Sequence, residues 1–104
     1  MDHLKVETYI PEEYVPGLRD ALSSGGYLRE GAYDSVMAMQ KVTGCWRPLE
    51  GSSPFTGTPG KLTTADEIKV EFRCRASEMR DVERVIRSVH PYEVPVINFI
   101  SLVE

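Results

Sequence analysis

Apolar and charged side chains alternate without a break from residue 67 to residue 75, in the stretch EIKVEFRCR. Successive side chains of a β-strand point to opposite faces of its sheet, so the alternation predicts a strand with one buried and one polar face. The apolar side chains are Ile68, Val70, Phe72 and Cys74. The charged side chains are Glu67, Lys69, Glu71, Arg73 and Arg75. A sheet with one apolar face needs other elements of the chain to cover that face.

The periodicity of the remaining sequence supplies those elements. Strands are predicted at residues 4–10, 33–42, 67–75 and 94–102, and helices at residues 13–24 and 78–89. Gly25-Gly26 should stop the first helix, and Ser77 can cap the second. The order β-α-β-β-α-β predicts one α+β domain over residues 1–104, with a four-stranded antiparallel sheet and two helices on one face. This is the ferredoxin-like arrangement, in which the first and third strands are central.

A long loop, predicted at residues 43–65, joins the second and third strands and is rich in glycine, proline and serine. Loops of this length in a small domain are usually functional or lie at an interface. Its stretch FTGTPGK lacks the spacing of a phosphate-binding P-loop. Arg47 could still bind an anion together with backbone N–H groups near Gly51, or it could pair with Glu50 or Glu71. Trp46, in the same predicted loop, packs on the sheet or stacks on a ligand.

Composition and charge exclude several functional classes. The chain has 104 residues and a net charge of −4, which disfavours nucleic acid as a partner. No apolar run approaches the roughly 20 residues of a membrane span, and the first residues lack the apolar core of a signal peptide. Two cysteines, Cys45 and Cys74, are too few for a disulfide framework. We therefore predict a cytoplasmic protein with reduced thiols.

The junction between the second helix and the last strand reads His90-Pro91-Tyr92-Glu93. One interpretation is structural: Pro91 cannot continue the helix, and His90 suits the negative end of the helix dipole. The other is functional, because an imidazole and a carboxylate beside a phenol could hold a polar ligand or a divalent metal. His90 and Glu93 alone are too few for a typical zinc site. No Ser/His/Asp set can be singled out, so no catalytic residue is predicted.

Four fragments carry a resemblance to a known family: GGYLREGAYDS, TGCWRPLEGSSPFTGTPGKL, EIKVEFRC and, above all, HPYEVP. In sequence and spacing they resemble the PII-like (CutA-like) domain inserted in the NGG-interacting-factor family of dinuclear-metal proteins, which also occurs as free-standing YqfO-like proteins. The resemblance covers nearly the whole chain. Val94 replaces the second glutamate that the family usually has after HPY, and Cys45-Trp46 replaces its usual approach to Arg47.

The resemblance implies a fold like that of PII and CutA, whose members are trimeric responders to small molecules or metal ions. It does not bring the parent family's metal ligands, which lie in flanking segments absent from this chain. The last predicted strand is apolar on both faces, which independently favours self-association. We expect a homo-oligomer, with a trimer as first choice and a dimer as second.

The predicted function is a non-enzymatic module that binds a small ligand or metal ion, or mediates assembly. His90, Tyr92, Glu93 and Arg47 are its candidate ligand-binding residues, and a divalent ion held by His90 and Glu93 is the one candidate cofactor. The alternative is an accessory to a metal-dependent hydrolase or GTP cyclohydrolase-like activity, with metal ligands supplied by a partner.

Overall fold

A computed structural model describes residues 2–104, and within them the elements follow the predicted order. The strands are β1 (His3–Ile10), β2 (Ala38–Trp46), β3 (Thr63–Arg75) and β4 (Ile97–Ser101). The helices are α1 (Val15–Ser24) and α2 (Met79–Val89), each preceded by a short 3-10 turn. The sheet order is β2-β3-β1-β4, and every neighbouring pair is antiparallel. The predicted ferredoxin-like α+β fold is confirmed, with the first and third strands central.

The core lies between the two helices and one face of the sheet. Burial alternates along β1 and, from Ile68 onward, along β3, as the apolar pattern predicts. Val6 on β1 and Val70 on β3 are fully buried, together with Leu18 of α1 and Ile86 of α2. The opposite face of the sheet, which we call the open face, has no helix over it among residues 2–104.

The helix boundaries follow local sequence signals. Pro16 lies in the first turn of α1, where its missing N–H costs nothing, and α1 ends at Gly25. α2 ends before His90, whose backbone is extended (φ −68°, ψ 128°) ahead of Pro91. The predicted cap by Ser77 is wrong. A 3-10 turn separates β3 from α2, and the Glu78 carboxylate accepts a hydrogen bond from the Arg75 N–H at 2.8 Å instead.

The second strand and the long loop differ from the prediction. β2 begins at Ala38 and continues to Trp46, which pairs with Thr63 at the start of β3. The connecting loop is therefore residues 47–62 rather than 43–65, and Trp46 belongs to a strand. Gly44, which weakens the strand signal in the sequence, is accommodated inside this pairing opposite Ala65. The hairpin makes β3 long enough to extend past the end of β1.

The last strand is also shorter than predicted, because β4 begins at Ile97 instead of residue 94. Pro95 lacks the N–H that a sheet ladder needs. Residues 90–96 instead cross the end of the sheet toward the loop 47–62. None of the helices within residues 2–104 is long and apolar enough to cross a membrane.

Candidate functional site

A cavity of about 670 Å³ lies at one end of the open face, and we call it the aromatic cleft. Its floor is the end of the β2–β3 hairpin, and its walls are the loop 47–62 and the segment 92–96. The lining is mainly aromatic and apolar. It comprises Tyr9, Val42, Thr43, Gly44, Cys45, Trp46, Arg47, Pro48, Leu49, Ser52, Pro54, Phe55, Thr56, Glu67, Tyr92, Glu93, Val94 and Val96. Three of the four predicted ligand-binding residues, Tyr92, Glu93 and Arg47, thus line one cavity.

Tyr92 is at the centre of an aromatic cluster that holds the loop against the body of the domain. Its ring centroid lies 5.8 Å from that of Trp46 and 6.0 Å from that of Phe55. Phe55 also meets Tyr14 edge to face, with the centroids 5.8 Å apart. The Trp46 indole N–H donates to the carbonyl of Thr56 at 3.1 Å. Such aromatic contacts and hydrogen bonds form the cleft without requiring a ligand.

His90 lies behind Tyr92 and is buried. Its Nδ1 accepts a hydrogen bond from the Tyr92 N–H at 3.2 Å, which assigns the ring proton to Nε2. Nε2 donates to the carbonyl of Tyr9 at 2.7 Å. Burial lowers the pKa of His90, outweighing the opposing effects of the Tyr9 carbonyl and Glu67, so the imidazole is neutral. His90 therefore fastens the crossing segment to β1 with both of its ring nitrogens.

The most buried polar residue that lines the cleft is Glu67, which is 7% exposed. Its Oε2 accepts a hydrogen bond from the Tyr92 hydroxyl at 2.8 Å. Burial, followed by this hydrogen bond, raises the pKa of Tyr92, so the phenol keeps the proton that it donates. The other side of the carboxylate packs on Gly44, where an added Cβ would overlap Oε1 and lie 2.7 Å from Cδ. An alanine at position 44 would therefore have to displace this carboxylate, whereas the backbone there has no positive φ that favours glycine.

Glu93 and Arg47 occupy the exposed part of the cleft. The Glu93 carboxylate accepts a hydrogen bond from the Ser53 N–H at 3.0 Å, which ties the crossing segment to the loop. Arg47 makes no ion pair within residues 2–104, and Glu71 pairs with Lys5 and Lys69 instead. The Arg47 guanidinium is therefore available to solvent or to a ligand.

The described residues do not fit a metal centre built from one chain. No group of three or more His, Cys, Asp or Glu side chains within residues 2–104 could hold an ion. His90 could ligate a metal only by giving up one of its two hydrogen bonds. Cys45 is exposed and Cys74 is buried, both as free thiols, and burial raises the pKa of Cys74 to about 11.

Sequence reasoning missed Glu67 and Phe55 as parts of the site, and treated Trp46 as a loop residue. The alternation in β3 places Glu67 correctly on the open face. Its burial depends on contacts with Tyr92 and Gly44, which come from other parts of the chain. No local signal in the sequence predicts these contacts.

Comparison with known proteins places the chain in a family. Residues 35–104 match the family model described as CutA1 divalent ion tolerance protein. Curated relatives from Staphylococcus epidermidis and Staphylococcus aureus are 34% and 35% identical over 100 residues, or 96% of this chain. Both are named GTP cyclohydrolase 1 type 2 homolog, and the chain spans only 27% of their length.

Solved structures agree with this placement. A Bacillus cereus protein related to NIF3 matches 99% of the chain with 26% identity and a TM-score of 0.84, over 26% of its own length. The periplasmic divalent cation tolerance protein CutA from Archaeoglobus fulgidus shares the fold, with a TM-score of 0.74 at 14% identity over 98% of this chain and 85% of its own. The predicted resemblance to the PII-like (CutA-like) domain of the NGG-interacting-factor family is confirmed, and the chain belongs to the CutA1 family.

Proposed function

We propose that the chain is a non-enzymatic PII-like module that binds a small ligand in the aromatic cleft and assembles with further copies of itself. The observation that carries the proposal is the cleft itself. A preformed cavity of about 670 Å³ combines aromatic walls with a few convergent polar groups. Small-molecule sites in proteins typically have this size and this mixture of surfaces.

Each predicted site residue has a place in the proposal. Tyr92 contacts the ligand with its ring and keeps the Glu67 carboxylate in position with its hydroxyl. Arg47 and Glu93 act at the mouth of the cleft, where both side chains are exposed. His90 is a positioning residue, because both ring nitrogens are already engaged in holding Tyr92 and the crossing segment.

Self-association is supported by surfaces that a single chain leaves uncovered. β2 and β4 are the outer strands of the sheet, and each has one edge without a partner strand in residues 2–104. Outside the cleft, Ile100 on β4 is 43% exposed and Val103 just after it is 89% exposed. A trimer is the first expectation and a dimer the second. Sedimentation equilibrium distinguishes them, and a strictly monomeric protein would contradict this part of the proposal.

A divalent ion is the second ligand class that the proposal covers, supported by the name of the CutA1 family. Residues 2–104 of one chain supply too few ligands, so such an ion would have to be shared between copies. This makes metal binding dependent on assembly. Titration of the ion against the oligomer and against a dissociated variant tests that dependence.

A thermal-shift panel of divalent metals, nucleotides and common metabolites tests ligand binding directly. A ligand at about 100 times its dissociation constant should add about 2.7 kcal/mol to the free energy of unfolding. Trp46→Ala removes a wall of the cleft and should abolish the shift relative to its own baseline. Leu62→Ala, which changes an exposed residue beyond the cleft, is the matched control and should keep it. If both variants kept the same ligand-induced shift, the ligand would bind outside the aromatic cleft.

An accessory role in an enzyme is the second candidate, favoured by the relatives whose longer chains are named GTP cyclohydrolase 1 type 2 homolog. The test is GTP turnover by the isolated chain, with and without a chelator. Turnover that the chelator abolishes would contradict a non-enzymatic module.

A cytoplasmic location also stays a prediction from the sequence. The Archaeoglobus fulgidus relative is described as periplasmic. Cell fractionation of the native protein decides between the two compartments.

A further inference from the structure

We infer that the ligand of the aromatic cleft is an organic cation, with its ammonium group at Glu67 and its hydrocarbon part against Trp46 and the neighbouring apolar wall. The inference rests on the proposed function, since it names the chemistry of the ligand for that same cleft. It is carried by the carboxylate of a largely buried glutamate, for which the described residues provide no counter-ion.

Glu67 is nine-tenths buried, yet its carboxylate has only one hydrogen-bond donor within residues 2–104, the Tyr92 hydroxyl. A carboxylate can accept about four hydrogen bonds. No lysine, arginine or histidine within residues 2–104 forms an ion pair with it. Taking a carboxylate out of water is costly unless a cation or several donors replace the water. The cleft therefore offers a carboxylate with one hydrogen-bond donor and no counter-ion within residues 2–104.

The nearest alternatives within the chain do not supply that partner. His90 lies beside Tyr92, but it is neutral and its Nε2–H is directed to the Tyr9 carbonyl. Arg47 lines the cleft as an exposed side chain and makes no ion pair with Glu67. The positive charge that would complete the site has to come from outside residues 2–104, and we assign it to a bound molecule.

The walls select an organic cation over a bare metal ion. A metal would need three or more protein ligands, and no such group exists within residues 2–104. Aromatic faces attract ammonium groups through cation–π interactions, most strongly at tryptophan. The apolar lining that would cover a hydrocarbon chain comprises Trp46, Pro48, Leu49, Pro54, Phe55, Val94 and Val96.

The same lining disfavours an anionic ligand. Glu67 and Glu93 both contribute carboxylates to the cleft, against the single guanidinium of Arg47. An anion placed deep in the cavity would meet the Glu67 carboxylate at short range, with little water to screen the repulsion. Arg47 can receive an anionic substituent only at the exposed mouth.

Isothermal titration calorimetry with two quaternary amines, choline and benzyltrimethylammonium, tests the inference. The neutral isostere 3,3-dimethylbutan-1-ol, in which carbon replaces the nitrogen of choline, is the matched ligand control. We expect both amines to bind saturably, and choline to bind at least about tenfold more tightly than the isostere. Glu67→Gln keeps an acceptor for the Tyr92 hydroxyl, removes the charge and should weaken amine binding by about tenfold or more. Glu50→Gln removes one charge from the same loop outside the cleft and should leave binding unchanged.

Equal binding of choline and the neutral isostere would overturn the inference, as would amine binding that Glu67→Gln leaves intact. Failure of both amines to bind, while a nucleotide or metal ion gives a shift that Trp46→Ala abolishes, would overturn the organic cation and leave the proposed function standing. No shift with any compound of the panel, amines included, would overturn both.

Discussion

Glu67 and Glu71 lie four residues apart on the same face of the same strand, and their surroundings are opposite. Glu71 is 2.7 Å from the Lys5 ammonium and 3.6 Å from that of Lys69, which also pairs with Glu7 at 3.3 Å. Glu67 has a phenol for a partner and aromatic rings for neighbours. One end of the open face thus balances its charges within the chain, whereas the other leaves one carboxylate to be balanced from outside. The difference separates a self-sufficient surface from a binding site.

Gly44→Ala should have the largest effect on stability among substitutions at the end of the open face that contains Glu67. The new Cβ would displace the carboxylate and break its hydrogen bond with Tyr92, so the free energy of unfolding should fall by about 3 kcal/mol. Urea denaturation measures the change. Gly17→Ala is the control, because its Cβ would meet only Val89 Cγ1 at 3.8 Å, and it should stabilise α1 by about 0.5 kcal/mol. A Gly44→Ala protein as stable as wild type would show that Glu67 is not held in place.

Tyr92→Phe should have the next largest effect. The substitution keeps the ring but removes the hydroxyl that donates the one hydrogen bond to the Glu67 carboxylate within residues 2–104. We therefore expect the free energy of unfolding to fall by about 1.5–2 kcal/mol. Tyr33→Phe, at a tyrosine that is 75% exposed, should change stability by less than about 0.5 kcal/mol. Equal effects of the two substitutions would contradict the buried hydrogen bond.

His90, which lies next to Tyr92, should make the stability of the protein depend on pH. Its folded-state pKa lies below the ordinary value of 6.5, so the unfolded chain takes up a proton first as the pH falls. Stability is therefore full above pH 6.5 and decreases as the pH falls from there toward the folded-state pKa. Melting temperatures across this range should show the decrease in wild type and in His3→Gln, but not in His90→Gln. A flat wild-type profile would contradict a buried neutral imidazole.

Glu71→Gln should have the smallest effect, since the ion pairs around Glu71 are partly exposed. The hydrogen bond from Lys5 keeps the pKa of Glu71 below its ordinary 4.5 despite some desolvation. Its contribution is therefore present above pH 4.5 and is lost as the pH falls through the folded-state value. The small difference in melting temperature between wild type and variant should disappear in acid and shrink in high salt. A difference that persists in both conditions would point to packing instead of charge.

Local signals were enough to predict most of the fold. The alternation in residues 67–75 identified β3 and its polar face, and Pro91 marked the end of α2. Where local signals were ambiguous, the predicted strand boundaries were wrong. Gly44 lowers the strand signal of its segment, yet the segment pairs with β3 and belongs to β2. Tertiary pairing decided the extent of β2, and single-sequence periodicity does not contain that information.

The site was predictable only in part. The sequence drew attention to Tyr92, Glu93 and Arg47, and the structure brings all three to one cavity. The structural interpretation of His90 as part of the helix stop agrees with its position and hydrogen bonds, while its predicted ligand contact stays untested. Glu67 could not be distinguished from the other charges of β3, because its character depends on a tyrosine 25 residues further along the chain.

The strand order has a consequence for how the protein is made. β1 lies between β3 and β4, with Leu4 opposite both Cys74 and Ser101. β1 leaves the ribosome before the other strands of the sheet. Both of its edges stay unpaired, and its apolar face stays uncovered, until elements that are translated later have emerged. A nascent chain arrested before β4 would expose one edge of β1, which is a template for pairing with other chains. Biogenesis of this domain should therefore be sensitive to chaperones that shield the early strand until translation has passed residue 101.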